Sequence, residues 1–303
     1  MDRARTGYLA WMTIDEIPIR VGRVDALDRI TEPLGKAVKK MLPRGPVKDA
    51  LSGTWLGHQL HPLLTDIPIG SFTSATILDL IGGRRAQPAA NVLATVGVLS
   101  TVPTAAAGLA DWSDTSGPPR RIGVVHAAAN IVGVGLYTAS VVARRRGKRA
   151  SATGLGLLGM SVMTVGGLLG GHLTLVRGVG VNHTLLEDPS PDWTAALAAA
   201  ELTDSKPRRV EVDDISILLR RREGSGDRLD GEIDALSNRC THAGGPLDEG
   251  TFEGSGAEAC VMCPWHRSTF RLRDGAVVHG PASVAQPSYE SRVRNGTIEL
   301  RPR

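Results

Sequence analysis

Cys240-Thr241-His242-Ala243-Gly244-Gly245-Pro246-Leu247 is followed, after a twenty-residue gap between His242 and Cys263, by Cys263-Pro264-Trp265-His266-Arg267-Ser268-Thr269-Phe270. Each stretch joins one cysteine to one histidine across one or two residues, then meets turn-forming Gly and Pro or a hydroxyl residue. That arrangement puts two thiolates and two imidazoles on facing loops. Two metal chemistries use such a set: an iron–sulfur centre in which two histidines replace two of four cysteines on one iron, and a tetrahedral zinc site. Spacing bears on the choice. A zinc finger usually carries Cys-x(2–4)-Cys followed by a His pair on a helix, whereas here each arm mixes the two residue types.

Over about residues 207–303 the sequence resembles the Rieske [2Fe–2S] family, in its ferredoxin-like branch, through these two arms and Gly280-Pro281-Ala282. The resemblance implies an antiparallel β fold and a [2Fe–2S] cofactor with Cys240 and Cys263 on the inner iron and His242 and His266 on the outer one. It also implies that electrons enter and leave at the histidine edge, and that Pro281 lies in a loop covering the cluster. Arg267 stands where the family usually has Gly, and Gly254-Ser255-Gly256-Ala257-Glu258 reads as a hairpin-loop insertion between the arms. High-potential members add two loop cysteines, a Ser and a Tyr. Here Gly245 and Trp265 take the cysteine places, Ser268 keeps the first hydroxyl and Phe270 lacks the second. Fewer hydrogen bonds to the cluster imply a potential near the low end of the Rieske range.

The chain has 303 residues, a net charge of +4 and three cysteines. Two domains are the default for that length. Removing the two candidate ligands leaves Cys260 alone, so no disulfide framework is expected. A core-facing strand position suits it better than a ligand role. Basic residues fall in short clusters between apolar stretches, the pattern of membrane-flanking loops rather than of a nucleic-acid face. Residues 1–30 lack the charged start, apolar run and cleavage site of a signal peptide.

Residues 1–50 form a polar region with one helical pattern, in which Leu27, Ile30, Leu34, Val38 and Met41 oppose Lys36, Lys39 and Lys40. Such a helix suits a membrane surface or packing on its own protein. Residues 89–110, 122–143 and 151–176 contain no Asp, Glu, Lys or Arg, and each exceeds the roughly 20 residues that cross a bilayer. A fourth and weaker span leads from His61-Pro62 to Leu80, bracketed by Asp66 and Asp79. The expectation is a four-helix transmembrane bundle over 51–185, a linker at 186–206 and the β domain at 207–303, an α + β multidomain chain.

The helical half resembles the membrane family called domain of unknown function 2231. The residues that carry this are Gly57-His58-x-x-His61-Pro62, Thr65-Asp66-Ile67-Pro68-Ile69-Gly70, Gly108-Leu109-Ala110-Asp111-Trp112, His126-Ala127-Ala128-Ala129-Asn130 and Gly170-Gly171-His172-Leu173. It implies a fold without an activity.

The functional expectation is a membrane-anchored electron carrier, multi-pass in the cell membrane, serving a redox protein partner and no nucleic acid. Two alternatives are a ferredoxin component of an oxygenase or reductase system and a redox-sensing membrane protein. Ionisable groups at membrane depth default to functional hypotheses. His58, His61, His126 and His172 are therefore candidates for a second site, a b-type haem or a quinone pocket. Basic residues at 82–88 and 144–150 place the β domain outside the cytoplasm by the positive-inside rule. The missing export signal and disulfides point the other way, and the side is left open.

Overall fold

A computed structural model of the chain describes residue 14 and residues 16–202, 206–222 and 232–303. Residues 1–13 and 15 of the polar N-terminal region lie outside them, as does part of the 186–206 stretch. Seven α-helices are described: α1 (Glu16–Gly22), α2 (Asp28–Met41), α3 (Pro46–Ser52), α4 (Leu60–Ile81), α5 (Gln87–Ser113), α6 (Gly117–Arg145) and α7 (Arg149–Leu175).

Three of them, α5, α6 and α7, are long and apolar enough to cross a membrane. The expected count of four is therefore not matched. Helix α4 has the length, at 22 residues, but Asp66, Asp79 and two prolines dilute its apolar run. The three apolar helices leave large side chains uncovered, with Val102 70%, Ile131 71% and Leu158 59% exposed. Apolar surface of that extent marks an interaction with something other than water.

The chain divides into two compact units. One takes the residues up to Ala37 with Ile69–Leu99 and Thr115–Arg177, and the other Val38–Pro68, Ser100–Asp114 and Gly178–Arg303. In the first unit small residues let helices approach closely. A Cβ on Gly159 would meet the Tyr137 ring at 2.9 Å, and one on Gly166 would meet Asn130 at 2.7 Å. Phe72 of α4 stacks on Tyr137 of α6 at 3.9 Å, and Asp79 forms a buried ion pair with Arg144. Helix α2 departs from its pattern. Thr31, Gly35 and Val38 are buried while Ile30, Leu34 and Met41 are exposed. The small face packs because Gly35 lies against the Arg120 guanidinium, where a Cβ would sit 3.3 Å away.

Among the described residues the second unit carries ten strands. They are β1 (Thr194–Ala198), β2 (Arg208–Val212), β3 (Ile215–Arg221), β4 (Ile233–Ser237), β5 (Thr251–Glu253), β6 (Cys260–Met262), β7 (Thr269–Arg271), β8 (Val277–His279), β9 (Ser288–Arg294) and β10 (Thr297–Pro302). A six-stranded sheet has the order β1-β10-β9-β4-β3-β2 and a four-stranded sheet the order β5-β6-β7-β8, with every pairing antiparallel. Asn295-Gly296, both at positive φ, turn β9 into β10 as tight hairpins require. Residues 194–198, which composition places in a linker, instead form β1, the edge strand paired with β10. Alanines carry little strand propensity, so the sheet edge decides their conformation. Two apolar clusters form, one around Ile217, Leu219 and Ile298, the other joining Cys240 and Cys263 to Leu218, Leu236, Val261 and Phe270.

Candidate functional site

The first arm leaves β4 and reaches β5; the second joins β6 to β7. Each closes on itself through backbone bonds. The amide of Cys240 donates to Gly245 O at 2.9 Å and that of Gly244 to Cys240 O at 2.8 Å. In the second arm Arg267 N donates to Cys263 O at 3.0 Å and Cys263 N to Ser268 O at 2.8 Å. Closing that turn puts Arg267 at φ +66°, a left-handed conformation that costs a side chain and not a glycine. The family's usual Gly at this place thus has a backbone reason.

Cys240 and Cys263 are 1% and 2% exposed and belong to one apolar cluster. The neighbouring Cys263 thiol and burial raise the Cys240 thiol above its ordinary range, while Cys263 is brought down to about 7 by Cys240 and by backbone amides. The backbone amides of His242 and Ala243 favour the Cys240 thiolate, and those of Trp265 and His266 the Cys263 thiolate. Gly245 leaves room for this: a Cβ there would lie 2.9 Å from Cys263 Sγ and 3.0 Å from the Trp265 ring. The His242 and His266 rings sit edge to face, 4.9 Å between centroids. Burial, then the neighbouring His266, His183 and Lys48, push His242 down to about 3, so it is a neutral imidazole at physiological pH.

The two arms are covered by residues 279–284. Ala282 N donates to Ser268 Oγ at 2.9 Å, and Thr241 Oγ donates to Val284 O at 2.9 Å. Gln286 accepts from Thr241 N at 3.1 Å and donates to Ser237 O and Arg239 O. Sequence reasoning gave Thr241 a bland role and missed Gln286; no motif marks either, because both act on backbone groups. Asp49 was missed as well: it bonds His279 and the Gly280 amide. A small cleft beside His242 is lined by Gln59, Asn182, Thr241, Ser283 and Val284.

These residues fit a [2Fe–2S] group. The Nδ1 of His242 is buried with no hydrogen-bond partner, a cost that a metal bond would remove. Backbone amides beside both sulfurs favour their ionised form, the kind of influence that tunes such clusters. Among the described residues no three His, Cys, Asp or Glu side chains gather at a point where a single ion would sit.

The second candidate set is not brought together in that way. His58 and His61 direct Nδ1 to the carbonyls of Gln59 and Thr104, at 3.0 and 2.9 Å. His126 directs Nδ1 to Gly166 O at 2.8 Å, and its Nε2 lies 3.2 Å from the Asn130 amide. His172 is buried. Haem and quinone find no support in this arrangement, since the rings of His58, His61 and His126 are each directed at a backbone carbonyl.

The family descriptions that match are "Rieske [2Fe-2S] domain" at residues 192–290 and "Predicted membrane protein (DUF2231)" at 57–183. The first begins fifteen residues before the expected boundary and takes in β1. The 3-phenylpropionate/cinnamic acid dioxygenase ferredoxin subunit of Photorhabdus laumondii is 33% identical over 101 residues, 33% of this chain and 85% of that protein. The iodate reductase subunit IdrB of Pseudomonas sp. is 36% identical over 107 residues, 34% of this chain and 54% of that protein. Of the latter protein the chain spans about half the length. The ferredoxin of carbazole 1,9a-dioxygenase from Nocardioides aromaticivorans, a solved structure, is 26% identical, with 37% of this chain and 98% of that one covered and a TM-score of 0.31. The two family matches and the dioxygenase ferredoxin relative identify the chain as a member of the Rieske [2Fe–2S] family, joined to a membrane-protein domain of the DUF2231 family.

Proposed function

We propose that the chain is a membrane-anchored one-electron carrier whose cluster is held by Cys240 and Cys263 on one iron and His242 and His266 on the other. The observation that carries this is the pairing of two thiols and two imidazoles on facing arms, with His242 Nδ1 buried and unsatisfied. A zinc ion would draw all four donors to one point, and the described donors are instead paired by type. A [2Fe–2S] cluster bound there supplies a one-electron redox couple. The chain's own part is to keep His242 neutral, hold the two thiols buried side by side and close the site with residues 279–284.

Three long apolar helices with uncovered apolar faces support a multi-pass anchor in the cell membrane. Helix α4 is a fourth crossing on this reading, its Asp79 neutralised by Arg144. The likeness to a dioxygenase ferredoxin subunit favours one further reading: the chain delivers electrons to an oxygenase or reductase held at the membrane. Purification in detergent with iron and sulfide analysis and electron paramagnetic resonance tests the first reading. His242→Ala should abolish the Rieske signal while the chain still inserts; stoichiometric zinc without iron overturns the assignment.

A further inference from the structure

Helix α3 touches the site without supplying a ligand. Asp49 accepts a hydrogen bond from the Gly280 amide on Oδ1 at 2.9 Å, and its Oδ2 lies 2.9 Å from His279 Nδ1. Both partners belong to the segment that covers the two arms. The approach is close enough that a Cβ on Gly280 would lie 3.0 Å from Thr54 Cγ2. The backbone of Asp49 is fixed in turn, its carbonyl accepting from both the Thr54 amide and the Thr54 hydroxyl.

The next residue back holds the helix from another direction. Lys48 is buried, pairs with Asp114 at 2.6 Å and donates to Ser113 Oγ at 3.2 Å, at the end of α5. Just before α3, Arg44 donates to Thr269 Oγ at 2.6 Å and reaches Met262 Sδ at 3.3 Å, on the two strands that flank the second arm. All these residues lie within the second compact unit.

We propose that Asp49 is a positioning residue for the cluster site: its two bonds hold the cover segment closed, and Lys48 ties that cover to the end of α5. The inference rests on the reading of the preceding subsection and adds that the β domain depends on a helix more than 190 positions before its second arm in the sequence. A carboxylate that accepts two hydrogen bonds fixes both partners more firmly than a neutral acceptor does. Groups outside the ligand shell set potential and solvent access. Neither consequence needs Asp49 to touch the iron.

The test uses the full chain in detergent, as Asp49→Ala and Asp49→Asn. Asparagine keeps an oxygen for the Gly280 amide and gains a side-chain nitrogen that can donate to His279 Nδ1; alanine keeps neither bond. Amide exchange of the peptide spanning 279–284 should quicken at least tenfold in Asp49→Ala and stay within about twofold of wild type in Asp49→Asn. In iron-loaded protein the alanine variant should lose iron to a chelator at least tenfold faster. Its paramagnetic resonance g-values should shift, and the asparagine variant should restore both. Should Asp49→Ala fail to fold, His279→Ala removes one of the two bonds and should give intermediate exchange. Wild-type exchange and g-values in Asp49→Ala would overturn the proposal, as would an asparagine variant as damaged as the alanine one. A wild-type chain without a Rieske signal would sink the cluster reading, while the exchange comparison would still decide the clamp.

Discussion

Arg267→Gly should stabilise this site, against the usual expectation for a glycine substitution. Arg267 sits at φ +66° with its amide bonded to Cys263 O. A left-handed conformation costs a residue with a Cβ roughly 1–2 kcal/mol. Glycine removes that cost but loses about 0.5–1 kcal/mol through the freer unfolded chain. The difference is a gain of about 0.5–1 kcal/mol, or roughly 2–8 °C in melting temperature for a domain of this size. Arg267→Val keeps the Cβ and adds branching, so it should lower the melting temperature by more than the glycine raises it. Loss of the visible cluster spectrum on heating reports both changes at the second arm. A glycine variant that melts lower than wild type, or a valine variant that melts with it, would show that the arginine side chain and not the backbone angle governs this turn.

Ser268→Ala leaves the buried Ala282 amide without its acceptor, so thermal melting should report a loss of about 1–3 kcal/mol. Redox titration should place the midpoint near the low end of the Rieske range, about −150 mV rather than +300 mV, because Phe270 brings no hydroxyl to the site; a value above about +200 mV would refute that argument. Tyr289 is 4% exposed with an unpartnered hydroxyl, and burial raises it to about 12. Its folded value lies above the unfolded one of about 10, so its contribution is full below pH 10 and is lost as pH rises through 12. Wild type should therefore lose about 1.4 kcal/mol more than Tyr289→Phe between pH 8 and pH 11, read as diverging melting temperatures; parallel curves would contradict it.

The sequence by itself marked the Rieske domain, the membrane-protein domain and three helices long and apolar enough to cross a membrane. Cysteine and histidine at fixed spacing announce a ligand set because metal chemistry restricts residue type. Twenty uncharged residues announce a span because hydrocarbon excludes charge. The tertiary structure decided what depends on partners distant in the chain. The Ala-rich run at 194–198 carries no strand signal of its own and becomes β1 only because β10 offers an open edge. The apolar stripe of α2 turned outward at Ile30, Leu34 and Met41 because the close approach belongs to Gly35, with Thr31 buried on the same face. Pattern reading also could not assign Asp49, Gln286 or Thr241. Each acts on a backbone amide or carbonyl, or on His279, through a hydrogen bond with no periodicity and no preferred spacing, and only folding brings the two ends of such a bond together.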